Sequence, residues 1–184
     1  MNLRPTAGLS AGEIASIVSR LAGEIAADHP DGVVIVGLLK GSVFLVADLV
    51  RALNVPCTVD FLALSSYSPG ERRVRIIKDL DEDVSGLDVI VVADVVDTGL
   101  SIRYVVDLIE RRGARRVEVC SLLDRPGRRI LPVPLRYCGT EITEDFLVGY
   151  GLDLADRYRN LPAIHVVDPE AISRERGVFE TALF

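Results

Sequence analysis

Near the start of the chain the apolar positions fall at helical spacing. Ile14, Ile17, Val18, Leu21 and Ile25 form one stripe, with polar and small residues between them. Ser10 and Glu13 stand ahead of it at the S-x-x-E spacing of a capping box. Pro30 disfavours helical geometry in the residue before it, so a helix is predicted from about residue 10 to Asp28. The pattern then changes to short, unbroken apolar runs. "GVVIVGLLKGS" (32–42) reads as a short buried strand and a tight turn, followed by a helix over roughly 42–53. "TVDFLALSS" (58–66) is strand-like, "YSPGERRV" (67–74) is a loop with a Pro-Gly turn signal, "RIIKDL" (75–80) is a short strand and "DEDVSGLD" (81–88) a polar turn. Val89, Ile90, Val91 and Val92 open a strand over 89–93. A helix over about 101–112 follows and stops at Gly113, where a glycine just past the helix end belongs. Further strands are predicted over 115–123, 133–139, 146–151 and 163–167, with residues 168–184 a tail or short terminal helix.

Strand and helix alternate through the middle of the chain. That order predicts an α/β fold, a mainly parallel central sheet with helices on both faces. Ligands in such sheets bind outside the carboxyl ends of the strands, where the strand order switches. Two loops fall at strand carboxyl ends and carry unusual residues: 37–42 and 94–101.

Composition narrows this further. The 184 residues favour one domain, expected over 1–167, and 49% hydrophobic with 5% aromatic residues and no Trp means an aliphatic core. Charged residues break every apolar run well short of the ~18 residues of a membrane span. The start, "MNLRPTAGLSAGE", lacks the apolar segment of a signal peptide, so a cytoplasmic protein with no membrane partner is expected. A net charge of −6 argues against nucleic acid as a partner, because phosphate backbones need a basic stripe. Of the basic clusters, "ERRGARR" (110–116) reads as a solvated helix end and loop. Cys57, Cys120 and Cys138 fit no zinc spacing and read as reduced packing thiols, the last two in strands. His29 and His165 are far apart and read as structural or exposed rather than as ligands.

The chemistry concentrates in "VIVVADVVDTGLS" (89–101). Asp94 and Asp97 close an apolar strand, and burying charge there is costly unless something binds. The chain then enters a helix, whose first backbone amides attract an anion. Gly99 permits close approach, and Thr98 and Ser101 add hydroxyl donors, as a phosphomonoester requires. Two carboxylates are poor neighbours for phosphate unless they meet ribose hydroxyls or a divalent cation, so the combination points to a sugar phosphate. The plain alternative is an N-cap plus two solvated aspartates. "LLKGS" by itself fits an ordinary strand-to-helix turn equally well.

This run resembles the ribose-phosphate signature of type I phosphoribosyltransferases: an apolar strand, acids, two apolar residues, then Asp-Thr-Gly. "GLLKGSVFLVADLVRAL", "DFLALSSY", "RIIKDLDEDVSGLDVIVV", "SLLDRP" and "EDFLVGYGLDLADRYRNLP" resemble, in order and spacing, segments of the hypoxanthine-guanine branch, over about residues 10–167. The resemblance implies the type I fold with a small hood. It also implies transfer of the ribosyl phosphate of 5-phosphoribosyl 1-diphosphate to a 6-oxopurine, with Mg²⁺ as cofactor and IMP or GMP as product. Asp97 would be the general base and Tyr67 a loop residue closing over the reaction centre. Thr98, Gly99, Leu100 (by its amide) and Ser101 would hold the 5′-phosphate. Asp94 would meet the ribose hydroxyls and, with Asp153, the metal. Lys40 and Gly41 would face pyrophosphate, in a loop whose Leu-Lys peptide region can adopt a cis geometry in the family, and Arg159 would contact pyrophosphate. Phe146 would stack on the purine, the Leu147 backbone would read its edge, and Arg125 would donate to the 6-oxo group. A homodimer or homotetramer is implied as well, with the apolar surface of the 42–53 helix as a candidate interface.

Three departures stand out. The signature usually begins Glu-Asp, where this chain has Ala93-Asp94; one charged hydrogen bond of roughly 1.5–3 kcal/mol is missing. The family usually has Lys where this chain has Arg125, a bulkier planar fork. The 67–74 loop is short by a few residues and basic, with Arg72, Arg73 and Arg75 as candidate pyrophosphate contacts or a solvated loop. Together they leave a second expectation open: a specialised or non-catalytic relative that binds a nucleotide.

Overall fold

The branched apolar runs become strands in a computed structural model that describes residues 6–65, 75–143 and 146–168. The described elements are β1 (Thr6–Leu9), α1 (Ala11–Asp28), β2 (Val33–Leu39), α2 (Val43–Ala52), β3 (Cys57–Leu64), β4 (Ile76–Lys78), β5 (Asp88–Val96), α3 (Leu100–Arg111), β6 (Arg116–Asp124), β7 (Leu135–Glu141), β8 (Leu147–Val148) and β9 (Ile164–Val166). The main sheet runs β4-β3-β2-β5-β6-β7, with β4 antiparallel to β3 and the other neighbours parallel. Tyr67, Arg72, Arg73, the 67–74 loop and residues 169–184 lie outside the described residues.

Side chains alternate across the pleat, and each face finds its own helices. Ile35, Ile90, Val92, Cys120 and Leu122 pack with Ile14, Leu21 and Ile25 of α1 and Leu45 and Leu49 of α2. Val34, Val36, Val89, Val91 and Val119 pack with Ile102, Val105, Val106 and Ile109 of α3 on the other face. The capping box forms: the Ser10 amide donates to Glu13 Oε2 at 2.8 Å, and the Glu13 amide to Ser10 Oγ at 3.3 Å. None of the described helices is long and apolar enough to cross a membrane.

From β2 the chain winds to one side, through α2 to β3. It returns to β5 on the other side of β2 and continues through α3 to β6 and β7. The strand order therefore switches between β2 and β5, and the crevice at their carboxyl ends is where 37–42 and 94–101 emerge. Several boundaries differ from the sequence reading. β5 continues to Val96 and takes Asp94 into the strand. β7 spans Leu135–Glu141 rather than 133–139. The run 146–151 is a strand only at Leu147–Val148, because Gly149, Tyr150 and Gly151 take φ of 101°, 48° and 98° and turn the chain. β1 was not foreseen. It pairs with β9, which pairs with β8, in a three-stranded antiparallel hood.

At the amino-terminal edge of the sheet, away from the crevice, His29 is buried between two acids. Nδ1 lies 3.1 Å from Asp88 Oδ2 and Nε2 3.2 Å from Glu118 Oε2. The Tyr137 hydroxyl bridges Glu118 at 3.2 Å and Asp28 at 3.0 Å. Arg115 and Arg116 pair with Asp88 and Glu118, and Arg112 with Asp79. The 110–116 cluster is thus not merely solvated: it neutralises acids around this edge.

Candidate active site

A cavity of about 390 Å³ occupies the crevice at the strand-order switch. It is lined by Lys40 and Gly41 after β2, by Asp94 and Asp97 at the end of β5, by Thr98, Gly99 and Ser101 at the start of α3, and by Asp153 and Arg159 from the hood. Nine sequence-predicted residues therefore meet in one cleft although they span positions 40 to 159. Ala93, Leu38, Leu62, Leu64 and Ile102 form its apolar wall. Among the described residues no group of three or more His, Cys, Asp or Glu side chains is placed to hold a metal by itself.

Close packing of backbone sets this geometry. The Leu39–Lys40 peptide is cis. A Cβ on Gly41 would overlap the Asp94 carboxylate, and a Cβ on Gly151 would overlap the Gly41 carbonyl. Only glycines allow the β2 loop to sit between β5 and the hood. Asp94 is partly buried at the floor of the cleft; its Oδ1 accepts from the Val95 amide at 2.9 Å. Burial pushes its carboxyl above the usual range; the backbone amides and the nearby Arg159 charge, which outweighs the repulsion from Asp153, offset this only in part.

The hood brings a network of charges. Arg159 Nη2 lies 2.7 Å from Asp153 Oδ1 and 3.0 Å from Asp156 Oδ1, while Nη1 donates to the Gly151 carbonyl at 2.7 Å. Lys40 reaches Asp156 at 3.1 Å, and these two cations hold the Asp156 carboxyl below its usual range. Tyr150, Ala155, Asp156 and Tyr158 all have positive φ, 48–71°. Left-handed non-glycine residues cost about 1–3 kcal/mol each and gather where a site demands a particular backbone path. Sequence reasoning missed Asp156; its place three residues before Arg159 was the available signal.

Asp97 is oriented by arginines. Its Oδ2 lies 3.4 Å from Arg128 Nη1 and 3.9 Å from Arg125 Nη1. Its Oδ1 is buried with no hydrogen-bond partner among the described residues, an acceptor facing no protein donor. Arg125 and Arg128 also line a second cavity of about 430 Å³, with Glu141, Ile142 and Thr143. Gly99 has φ of 84° and caps α3, and the Leu100 amide approaches Thr98 Oγ1 at 3.4 Å.

Not every predicted residue lines the cleft. Leu100 projects its side chain to solvent, Phe146 is 51% exposed, and Leu147 packs into the core. Arg125 sits beside Asp97 rather than in the main cavity.

Sequence and structure both place this chain among known proteins. Residues 9–155 match the family model described as "Phosphoribosyl transferase domain". The chain is 42% identical over 158 residues to the hypoxanthine phosphoribosyltransferase of Salmonella typhimurium, covering 83% of this chain and 89% of that one. It is 39% identical over 167 residues to the hypoxanthine-guanine phosphoribosyltransferase of Bacillus subtilis, covering 88% and 92%. The crystal structure of a hypoxanthine-guanine phosphoribosyltransferase from Bacillus anthracis, with HEPES in the active site, superposes with a TM-score of 0.86 at 35% identity, covering 90% of this chain and 99% of that one.

Proposed function

The chain belongs to the phosphoribosyltransferase family, on its hypoxanthine-guanine branch, and from that premise we propose that it is a purine salvage enzyme. It transfers the ribosyl phosphate of 5-phosphoribosyl 1-diphosphate to hypoxanthine or guanine, giving IMP or GMP and pyrophosphate. The observation that carries the reading is the convergence of Asp94, Asp97, the Thr98–Ser101 turn and the Lys40–Gly41 loop on one cleft.

As pyrophosphate leaves, C1 of the ribose becomes cationic while a purine nitrogen attacks it. The 5′-phosphate sits on the Thr98–Ser101 turn, where the Leu100 amide and the other early amides of α3 favour an anion. Asp97 Oδ1, which has no donor among the described residues, takes the N–H proton of the incoming base, and its charge also stabilises the cationic centre. Arg125 and Arg128 flank the other oxygen of Asp97, and Arg125 is the proposed donor to the base's 6-oxo group. Phe146, half exposed, covers the purine face, and the Leu147 backbone reads its edge. Lys40 and Arg159 receive the pyrophosphate by exchanging their Asp156 contact for it. Tyr67 is assigned to closure of the loop over the site.

Asp94 and Asp153 suit Mg²⁺. The two carboxylates repel each other in one cleft, and among the described residues no group of three acids or other ligands is placed to hold a metal by itself, which fits a cation that shares its ligands with substrate phosphates. When bound there, Mg²⁺ would neutralise charge on the leaving group. Val43 and Phe44 at the start of α2 are exposed beside Lys40, which supports a homodimer or homotetramer through this face.

Incubation with the ribosyl donor, Mg²⁺ and hypoxanthine, guanine or xanthine in turn tests the proposal. Formation of a nucleoside monophosphate with pyrophosphate is expected. Tight nucleotide binding without product from any of the three bases would overturn it in favour of a non-catalytic relative.

A further inference from the structure

The segment after β6 holds the anion turn from behind. Arg129 Nη2 forms an ion pair with Asp124, the last residue of β6, and Nη1 donates to the Asp97 carbonyl at 2.9 Å. Asp124 is 8% exposed, so its carboxylate depends on this partner. The next two amides, of Ile130 and Leu131, donate to the Thr98 carbonyl at 2.9 and 3.0 Å. The Leu131 carbonyl packs so close to Gly99 that a Cβ there would overlap it.

The direction of these bonds matters. In a planar trans peptide the C=O and the following N–H point opposite ways. With the carbonyls of Asp97 and Thr98 engaged by residues 129–131, the amides of Thr98 and Gly99 are directed away from that segment. A turn that keeps its carbonyls on the outside leaves its N–H groups for an anion. Arg128, half exposed, touches the Asp97 carboxylate, whereas the side-chain bonds of Arg129 among the described residues go to the Asp97 carbonyl and Asp124. The tandem arginines thus have separate tasks.

We infer that Arg129 is a positioning residue: braced by Asp124, it fixes the Asp97–Gly99 backbone so that the turn presents its amides to the 5′-phosphate and the Asp97 carboxylate to the base. The inference rests on the reading of this turn as the phosphate grip. A guanidinium can hold both acceptors at once through its rigid fork; an ammonium in its place cannot do so with the same geometry.

The test uses Arg129→Met, Arg129→Lys and Asp124→Asn in the full chain, with ribose 5-phosphate and inorganic pyrophosphate as calorimetric probes. Arg129→Met is expected to weaken ribose 5-phosphate about tenfold and leave pyrophosphate affinity unchanged. In turnover it raises donor KM and lowers kcat, and Arg129→Lys recovers part of both. A merely structural arginine would lower the melting temperature and the active fraction without moving the affinity of the folded remainder. If Arg129→Met does not fold, Asp124→Asn, which keeps the arginine but loosens it, carries the same expectation at smaller size. Wild-type ribose 5-phosphate affinity in the folded variants, or equal loss of both probes, overturns the inference. A wild-type protein that binds ribose 5-phosphate yet turns over no purine removes the functional reading and leaves this one standing; one that does not bind it removes both.

Discussion

Gly41 lies against the carboxylate of Asp94, with no room between them for a side-chain carbon. The same residue offers its carbonyl to the underside of Gly151, so one glycine sets the distance from β5 to the hood. A methyl group here must displace either the Asp94 carboxylate or the loop carrying Lys40. Gly41→Ala is expected to lower kcat/KM by about 10²-fold, the scale of a misplacement near 1 Å. Steady-state kinetics, with circular dichroism to confirm folding, checks it.

Asp94 illustrates a cost in stability accepted for function. Burial raises its carboxyl above the usual range, so the folded state binds its proton more tightly than the unfolded state does. Stability from this group is then lost as pH rises from the unfolded aspartate value, ~3.9, through the raised folded value. At neutral pH the group works against folding. Asp94→Asn removes that charge and is expected to raise the melting temperature at pH 7 while weakening the donor roughly ten- to a hundredfold. Thermal melts and donor titration on the same preparation decide it; a lower melting temperature would contradict the burial argument.

Where local pattern carried the signal, the fold was legible. The capped helix α1, the apolar tetrad of β5 and the alternation around α2 and α3 all rest on periodicity within one element. The Asp97-Thr98-Gly99 turn was legible because its residue types match its chemistry. β1 was not, since Thr6 pairs with Val166 and no local feature announces so distant a partner. Gly149 to Gly151 looked like strand by apolar content, but glycine allowed the left-handed turn that strand pairing would have forbidden. Arg129 escaped notice for a similar reason. Two adjacent arginines look alike in sequence, and only the packing of 129–131 on 97–99 separates the one that touches a carboxylate from the one that holds the backbone.

His29 ties α1 to the amino ends of β5 and β6, remote from the cleft. Removing it takes one buried partner each from Asp88 and Glu118, which keep Arg115, Arg116 and the Tyr137 hydroxyl. His29→Leu is expected to cost about 1–2 kcal/mol, roughly 2–8 °C in melting temperature for a chain of this size, with turnover at room temperature unchanged. The surrounding acids add a pH dependence. The Arg115 guanidinium, then His29, holds Asp88 below the usual carboxyl range, and the Tyr137 hydroxyl does the same for Asp28. Depressed carboxyls contribute stability above the unfolded value near ~3.9 and lose it as pH falls through their folded values. Melts from pH 7 down to acid should therefore show stability falling below about pH 4, and less steeply in Asp88→Asn.

Ala93 stands next to Asp94 but on the opposite side of the strand, 2% exposed, in the apolar wall with Leu62, Leu64 and Ile102. The cleft opens beside it, so a longer acidic side chain there can reach the ribose side of the site. Ala93→Glu then has two opposed effects. In the empty enzyme it places a second carboxylate next to a carboxyl already burdened by burial, and stability falls. In the complex it adds a charged hydrogen bond to a sugar hydroxyl, worth roughly tenfold in donor affinity. The variant should melt at a lower temperature alone, and ribosyl donor with Mg²⁺ should restore more of the melting temperature than it adds to the wild type. An unchanged donor KM in a folded Ala93→Glu protein would mean that the sugar lies away from this wall, and that the cleft binds it by Asp94 from the other side only.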